Sequence, residues 1–295
     1  MLELGDLARR ELVVVTGKGG VGKTTVAALL GRAFAASGRR TLVAEIDPRE
    51  NLHQVLGTPP SGGEILRAGD RLWVQNLAPQ RVLDEVVREQ VPVGFLAQRV
   101  IESPIYQHFA AGAPGLKEMA VLGQALRLLR GLAGKRAPAL DVVVLDAPAT
   151  GHGVSLLAAP LLVSEVIHKG PIGRMSAEVA ALVADAARTA VVAVAAPEEM
   201  PISEVLELAS SLERSIGRRP DLAVVNGLFP PPPLEIRDDA DLLWRERSEA
   251  QARELDRFRR AWLDEITTLP ALPLERGPAL LAALARASGF FGVAA

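Results

Sequence analysis

The sequence of 295 residues contains no cysteine, and this absence excludes several kinds of chemistry at once. Disulfides, thiolate metal sites and cysteine nucleophiles all require a thiol. We therefore expect neither a zinc site nor an arsenite site of the thiolate type. Because disulfides are typical of oxidising compartments, their exclusion is consistent with a cytoplasmic location, which is our prediction.

An excess of basic charge and long apolar runs are also missing. The formal net charge is −2, whereas nucleic-acid-binding domains usually carry a basic surface, so we expect no nucleic-acid partner. No stretch of about 18 residues is free of charged and turn-forming residues, and we expect no stable membrane span. The N-terminal residues lack a small-residue cleavage site after an apolar run, which argues against a secretory signal.

Short apolar runs that alternate with helix-period segments dominate what is present. The runs predict strands at 12–16, 41–46, 142–145, 190–195 and 222–225, and a weaker strand at 71–77, which we expect at an edge of the sheet. Helical spacing predicts helices over 24–37, around Met119 to Leu129, and from Leu255 to Ile266. Buried strands that alternate with helices indicate an α/β fold, with a mostly parallel sheet flanked by helices.

The remaining segments indicate how the chain is organised. Two long intervals, at about 78–135 and 153–188, carry helical patterns without further buried strands. We expect them to form a helical layer over the carboxyl edge of the sheet. The whole chain, 1–295, is then predicted to be a single domain with these two intervals as helical subdomain elements.

The stretch that carries the clearest chemistry follows the first predicted strand and opens the first long helix. It reads GKGGVGKT, a complete G-x-x-x-x-G-K-T phosphate-binding loop in the strand-to-helix context that this motif requires. Lys23 is expected to reach the β- and γ-phosphates of a nucleotide, and the Thr24 hydroxyl to bind Mg²⁺. The nucleotide-binding residues predicted from this loop are Gly17, Lys18, Gly19, Gly20, Val21, Gly22, Lys23, Thr24 and Thr25.

Lys18 is an additional lysine that an ordinary loop of this kind does not need. With it, the loop resembles that of the deviant-Walker ATPases, which include ArsA, the tail-anchored-protein targeting ATPases, MinD, ParA and nitrogenase iron protein. The resemblance implies that Lys18 crosses a dimer interface and contacts the nucleotide of the partner subunit. There it would stabilise charge on the transferred phosphoryl group, as an arginine finger does.

Two further motifs resemble the ArsA family within that group. The segment EIDPRENL resembles the first switch, D-P-A-H-[NS]-L, except that Arg49 and Glu50 replace Ala and His. Asp47, at the carboxyl end of its strand, is expected to orient or deprotonate the attacking water. The segment DAPATGH resembles the second switch, D-T-A-P-T-G-H, which MinD and ParA lack. Asp146 would hold Mg²⁺ through water.

The second switch contains three residues whose roles we also predict. Gly151 and Gly153 are expected to give the segment the backbone freedom to move when the γ-phosphate leaves. His152 is a candidate for coupling the nucleotide to the interface, although a lone histidine is more often structural.

Weaker fragments extend the resemblance over nearly the whole chain. APGLKEM resembles the P-G-I-D-E segment of the family, and LPLERG resembles the late loop that closes over the base. Asn226 ends a predicted strand, and the resemblance implies that its side chain binds the adenine edge. The chain is thus identified as a cysteine-free, single-unit member of the ArsA family.

The resemblance implies a Mg²⁺-dependent ATPase that works as a nucleotide-switched dimer. Because the chain has one set of motifs, a homodimer or a heterodimer with a related ATPase has to supply the second half. The first hypothesis for its use is binding and release of a protein client such as a hydrophobic helix. The alternative is an ATP-gated positioning or assembly switch of the MinD/ParA kind. Apolar faces near Met119 and Met175 are candidates for a client groove, although such faces are more often core.

Overall fold

An eight-stranded sheet forms the centre of the protein in a computed structural model that describes residues 4–46, 49–91, 93–134, 137–148, 152–232 and 235–288. The strands are β1 (Leu12–Gly17), β2 (Thr41–Glu45), β3 (Leu66–Gly69), β4 (Leu72–Asn76), β5 (Val142–Asp146), β6 (Thr189–Ala195), β7 (Leu222–Leu228) and β8 (Ile266–Pro270). Their order is β3-β4-β2-β5-β1-β6-β7-β8, and every neighbouring pair is parallel except β3 with β4. The predicted α/β fold of P-loop NTPases is confirmed.

Helices cover both faces of this sheet. They are α1 (Leu4–Ala8), α2 (Lys23–Ala36), α3 (Leu52–Leu56), α4 (Pro79–Gln90), α5 (Gly94–Glu102), α6 (Pro104–Gly112), α7 (Leu116–Leu129), α8 (His152–Val166), α9 (Gly170–Ala184), α10 (Glu199–Ile216), α11 (Asp239–Ala261) and α12 (Pro278–Ala287). None of the helices in the described ranges combines the length and the apolarity that a bilayer crossing requires.

The central strands are apolar throughout because both faces of the sheet are buried. Along β1, Leu12 and Val14 enter one core with α7 to α11, while Val13 and Val15 enter the opposite core with α2 and α12. Successive side chains of a strand point to opposite faces, so a strand between two helical layers needs apolar residues at every position. This pattern made the central strands recognisable from sequence.

Two sequence predictions about secondary structure are wrong in detail. The weak strand β4 is not at the edge, since the antiparallel strand β3 covers it. The helix predicted through Ile266 ends at Ala261, because Ile266 instead pairs with Ala223 and begins β8. Pairing with β7 thus overrides a helical spacing that continues past the true end of α11.

The helical layer has its own small core. Buried side chains from α4, α6, α7 and α8, among them Leu83, Met119 and Val163, form a cluster separate from those on the two sheet faces. Next to this layer, at the carboxyl edge of the sheet, a cavity of about 140 Å³ is lined by Ile46 and Pro148 together with residues of α4, α7 and α8. These helices therefore adjoin the carboxyl edge, as the sequence predicts.

The apolar face of α7 belongs to the protein core. Met119 and Leu122 are fully buried, and Met175 of α9 packs against the same clusters. Of the two interpretations of these faces, the structure supports the core rather than a client groove.

An ion pair joins the amino ends of β2 and β5. The carboxylate of Asp141 accepts hydrogen bonds from the Arg40 guanidinium and, at 2.8 Å, from the Arg40 backbone N–H. The hydrogen bond from the Arg40 side chain is the main reason that the pKa of Asp141 is lowered to about 2. Because the folded-state pKa lies below the unfolded value, the pair stabilises the fold above about pH 4, and this contribution is lost as the pH falls towards 2.

Asp141→Asn is expected to lower the midpoint of thermal unfolding at pH 7 by about 1–3 °C, since the pair is partly exposed and screened by solvent. The difference from the wild type should shrink as the pH falls from about 4 towards 2. Differential scanning calorimetry across this range is the measurement. Asp70→Asn, in the exposed ion pair with Arg67, is the matched control and should change the midpoint little. An equally large effect of both variants would contradict the prediction.

Candidate nucleotide-binding site

The phosphate-binding loop lies at the carboxyl end of β1, and α2 begins at Lys23, inside the motif. Gly22, which precedes the helix, has φ 93°, a left-handed conformation that side chains other than glycine rarely adopt. A Cβ atom at this position would also lie 2.2 Å from Nδ2 of Asn226. Glycine is therefore favoured at position 22 both by the backbone conformation and by the lack of space for a side chain.

Asn226 supports the loop from β7. Its Nδ2 donates a hydrogen bond to the carbonyl oxygen of Val21 at 2.9 Å. The side chain thus contacts the backbone of the loop, a link that the sequence did not indicate. Its implied contact with adenine stays a prediction.

A cavity of about 400 Å³ opens beside the loop. The described residues that line it are Gly19, Gly20, Gly22, Lys23, Thr24, Thr25, Ile46, Asn51, Asp146, Ala147, Pro148 and Arg276. The wall thus brings together the loop, the start of α2 and the carboxyl ends of β2 and β5. The helix N-terminus adds partial positive charge and backbone N–H groups, which favour a phosphate ligand.

Three side chains at this cavity carry the chemistry of a nucleotide site. The ammonium group of Lys23 donates a hydrogen bond to the carbonyl oxygen of Lys18 at 3.0 Å. The hydroxyl of Thr24 donates to Oδ2 of Asp146 at 2.6 Å. A hydroxyl and a buried carboxylate in contact form a hard oxygen donor set, which suits Mg²⁺ bound chiefly by phosphates and water. The residues therefore fit the predicted ion.

Lys18 lies apart from the described lining of this cavity. Its Nζ is 2.8 Å from Oε1 of Glu204 and also contacts Sδ of Met200, both on the first turns of α10. The two lysines of the loop thus point to different surroundings. No local sequence pattern indicated the contact with α10, because 186 residues separate Lys18 from Glu204.

The first switch is held by two glutamates, Glu45 and Glu50, to which the sequence assigned no role. Asp47 itself lies outside the described residues, as does Pro48. Glu45, buried at the end of β2, accepts hydrogen bonds from the backbone N–H groups of Asn51 at 2.8 Å and of Leu52. The carboxylate thereby satisfies the N-terminus of α3. An acidic residue at the end of a largely apolar strand was the available signal.

Glu50 fixes the same segment from the other side. Its carboxylate accepts hydrogen bonds from the backbone N–H groups of Ser61 at 2.6 Å and of Gly62 at 2.9 Å. Glu50 is one of the two residues by which this chain departs from the family motif. The departure therefore has a structural role, since it ties the first switch to the loop before β3.

The second switch starts at the carboxyl end of β5, where Asp146 is buried. Residues 149–151, which include Gly151, lie outside the described part of the chain, as does the side chain of His152. Gly153 lies in α8, where a Cβ atom would be 2.1 Å from Oγ1 of Thr16. Close approach of α8 to the end of β1 is thus a reason for glycine at 153, in addition to the predicted backbone freedom.

Arg276 is a charged residue of the cavity wall to which the sequence assigned no role. It immediately precedes the glycine that caps the N-terminus of α12, and it brings a positive charge to the cavity wall. Its position in LPLERG, the segment that resembles the base-closing loop, was the available signal.

Comparison with known proteins adds independent information. A family model described as "Anion-transporting ATPase" matches residues 10–183. ATPase BagA of Mycobacterium tuberculosis is 28% identical over 206 residues, which cover 68% of this chain and 60% of the relative. An arsenical pump-driving ATPase of Escherichia coli is 29% identical over 274 residues, or 92% of this chain and 43% of the relative. ATPase GET3C of Arabidopsis thaliana is 27% identical over 172 residues, or 54% and 43%.

The matched segments cover between 43% and 60% of these relatives, so the chain spans less than two thirds of their length. The family model, in contrast, covers more than half of this chain and includes the phosphate-binding loop, both switch motifs and the helices between them. The chain belongs to the anion-transporting ATPase family.

Proposed function

We propose that the chain is a Mg²⁺-dependent ATP hydrolase that works in the cytoplasm as a nucleotide-switched dimer. The observation that carries the proposal is the cavity beside the loop, where Lys23 and the Thr24–Asp146 pair converge. Each of these groups has a use in phosphoryl transfer. The family match supports a nucleotide at this position.

The roles of the individual residues follow from this chemistry. Lys23 binds the β- and γ-phosphates, and Asp47 orients and activates the attacking water. Thr24 would hold Mg²⁺ with its hydroxyl, and Asp146 would hold the ion through water. When bound, Mg²⁺ neutralises charge on the phosphate oxygens.

Assembly with a second subunit follows from Lys18. Its ammonium group lies on the α10 side of the loop, apart from the described cavity lining, which favours a role at another subunit's nucleotide. The partner is a second copy of this chain or a related ATPase subunit. Hydrolysis releases the subunits and rearranges the helical layer.

A client surface is supported by the exposed apolar side chains of α5 and α6. Phe95 and Leu96 on α5, and Ile105 and Phe109 on α6, are exposed, with Ile105 at 84%. These helices belong to the helical layer: they pack on one another, α5 packs on α4, and α6 packs on α7. Several exposed apolar side chains on two helices that pack together favour binding of an apolar partner, and an amphipathic or transmembrane helix is the occupant that we propose.

Ile105→Asp is expected to abolish most of the ATP-dependent protection of an aggregation-prone transmembrane helix. The charge would have to be desolvated against the bound apolar face, which weakens binding by about tenfold or more. Light scattering of the helix with ATP, with ADP and without nucleotide is the measurement, and crosslinking locates the contact. Leu263→Asp is the matched control, because Leu263 is 82% exposed but lies just before the amino end of β8 and not in the helical layer.

Absence of protection by the wild type in every nucleotide state would contradict the client proposal. The positioning or assembly switch of the MinD/ParA kind would then be the better interpretation. Liposome flotation of the full chain with ATP and with ADP tests that alternative, because the apolar segment 280–295 is its candidate membrane contact. Deletion of the segment would not be informative, since Leu281 and Leu284 are buried in the core.

A further inference from the structure

The ammonium group of Lys18 is held within its own subunit. Nζ lies 2.8 Å from Oε1 of Glu204, and the side chain of Met200 contacts the same nitrogen. Met200 and Glu204 are four residues apart on α10, so they lie on the same face of the helix and both face the loop. The lysine is therefore directed towards α10 by a specific pair of side chains.

Another anionic group can replace Glu204 as the partner of Lys18. Lys18 and Glu204 are each 29% exposed, so water and salt screen their attraction. A triphosphate carries more negative charge than one carboxylate and presents several oxygens to the same ammonium group. A partner's nucleotide can thus displace Glu204 from Lys18, whereas in the isolated subunit Glu204 keeps the lysine in place.

We propose that Glu204 restrains Lys18 in the isolated subunit and holds it on α10 until a second subunit presents its nucleotide. The inference rests on the proposed function, namely that Lys18 acts across a dimer interface. It adds that Glu204 and the partner's nucleotide compete for Lys18. Each Lys18–Glu204 pair therefore has to open before Lys18 can contact the nucleotide of the other subunit. Glu204 therefore sets the protein concentration at which hydrolysis begins.

Glu204→Gln removes the competing charge and preserves the size of the side chain. Exposed ion pairs of this kind change an equilibrium by about two- to fivefold each. A symmetric dimer contains two pairs, so the protein concentration at half-maximal specific activity should fall by about four- to twenty-five-fold. The rate per site at saturating protein concentration should stay unchanged, because Lys18 then occupies the same position in both proteins.

Glu207→Gln is the matched control. Glu207 is exposed on the same helix, and its substitution changes the net charge of the chain equally. It should leave the assembly midpoint unchanged. Circular dichroism of each variant establishes that α10 is folded.

The experiment measures ATP hydrolysis against protein concentration for the wild type, both glutamine variants and Lys18→Ala with and without Glu204→Gln. Sedimentation velocity with a non-hydrolysable ATP analogue measures assembly independently of activity. We expect Glu204→Gln to promote assembly in both measurements and to have no effect in the Lys18→Ala background, because the two residues act as one pair.

Two results overturn the inference in distinguishable ways. If wild-type activity depends on protein concentration but Glu204→Gln behaves as Glu207→Gln does, or assembles less readily, Glu204 does not restrain Lys18 and the dimer proposal stands. If the wild type stays monomeric with nucleotide and its specific activity is independent of concentration, the dimer proposal fails, and the inference fails with it.

Discussion

Lys23→Ala is expected to abolish nucleotide binding at concentrations at which the wild type is saturated. In the structure the ammonium group of Lys23 hydrogen-bonds the carbonyl oxygen of Lys18 and lines the cavity beside the loop. From this position a rotation of the side chain brings its charge to the β- and γ-phosphates. Removal of one partner from a close charge pair costs about 2–5 kcal/mol, or about thirtyfold to several thousandfold in affinity.

Isothermal titration calorimetry with ATP and Mg²⁺ measures this loss directly. Lys169→Ala is the matched control, since Lys169 is an exposed lysine at the N-terminus of α9, outside the described lining of the cavity. Circular dichroism and thermal unfolding exclude a general loss of structure in the Lys23 variant. If both variants bound ATP with comparable affinity, the assignment of the loop as the phosphate-binding site would be wrong.

The sequence predicted the central strands and the loop well because each of them is specified by several neighbouring residues. Each central strand has apolar residues at consecutive positions, and the turn after β1 has glycines where φ is positive. The two outer strands are different. β3 has half-exposed residues, and the pattern of α11 continues at helical spacing into β8, so only pairing with neighbouring strands defines them.

The candidate site likewise has a part that could be predicted from the sequence and a part that could not. Most of the loop and the start of α2 follow from one contiguous motif and Asp146 from a second, and these residues line the same cavity. The contacts that position them join residues that are distant in sequence or unusual for the family. Asn226 reaches Val21 from β7, and Glu204 reaches Lys18 from α10. A sequence without an alignment gives no signal for such pairs.

The last prediction concerns the two lysines of the loop together. Lys18→Ala is expected to retain much of its ATP binding, because the described cavity lining does not include Lys18. Hydrolysis should fall by about 10³ or more, the typical contribution of a cation supplied in trans to the transferred phosphoryl group. Phosphate release at saturating ATP and protein is the measurement.

Asp47→Asn is the complementary variant. It should bind ATP with Mg²⁺ yet hydrolyse it far more slowly, because an amide cannot accept a proton from the attacking water. It nevertheless offers an intact Lys18 to a partner. Near-normal turnover of this variant would assign the activation of water to another group.

Mixing of the two variants tests whether Lys18 acts across the interface. A mixed dimer has one complete site, with Asp47 from the Lys18→Ala chain and Lys18 from the Asp47→Asn chain. Its other site lacks both groups. Activity should therefore recover to about half of the wild-type value per mixed dimer. Differently tagged chains and sedimentation measure how many mixed dimers form, so the rate can be expressed per mixed dimer.

A lysine that acts within its own subunit predicts a different result. Each Lys18→Ala site would then remain defective whatever its partner, and mixing would leave the rate at the level of either variant alone. If mixed dimers form and no recovery occurs, Lys18 serves the nucleotide of its own loop. The 2.8 Å contact between Lys18 and Glu204 would then have to open within a single subunit, without a partner's phosphate to displace the carboxylate. Recovery, in contrast, requires that the site be completed from the other chain.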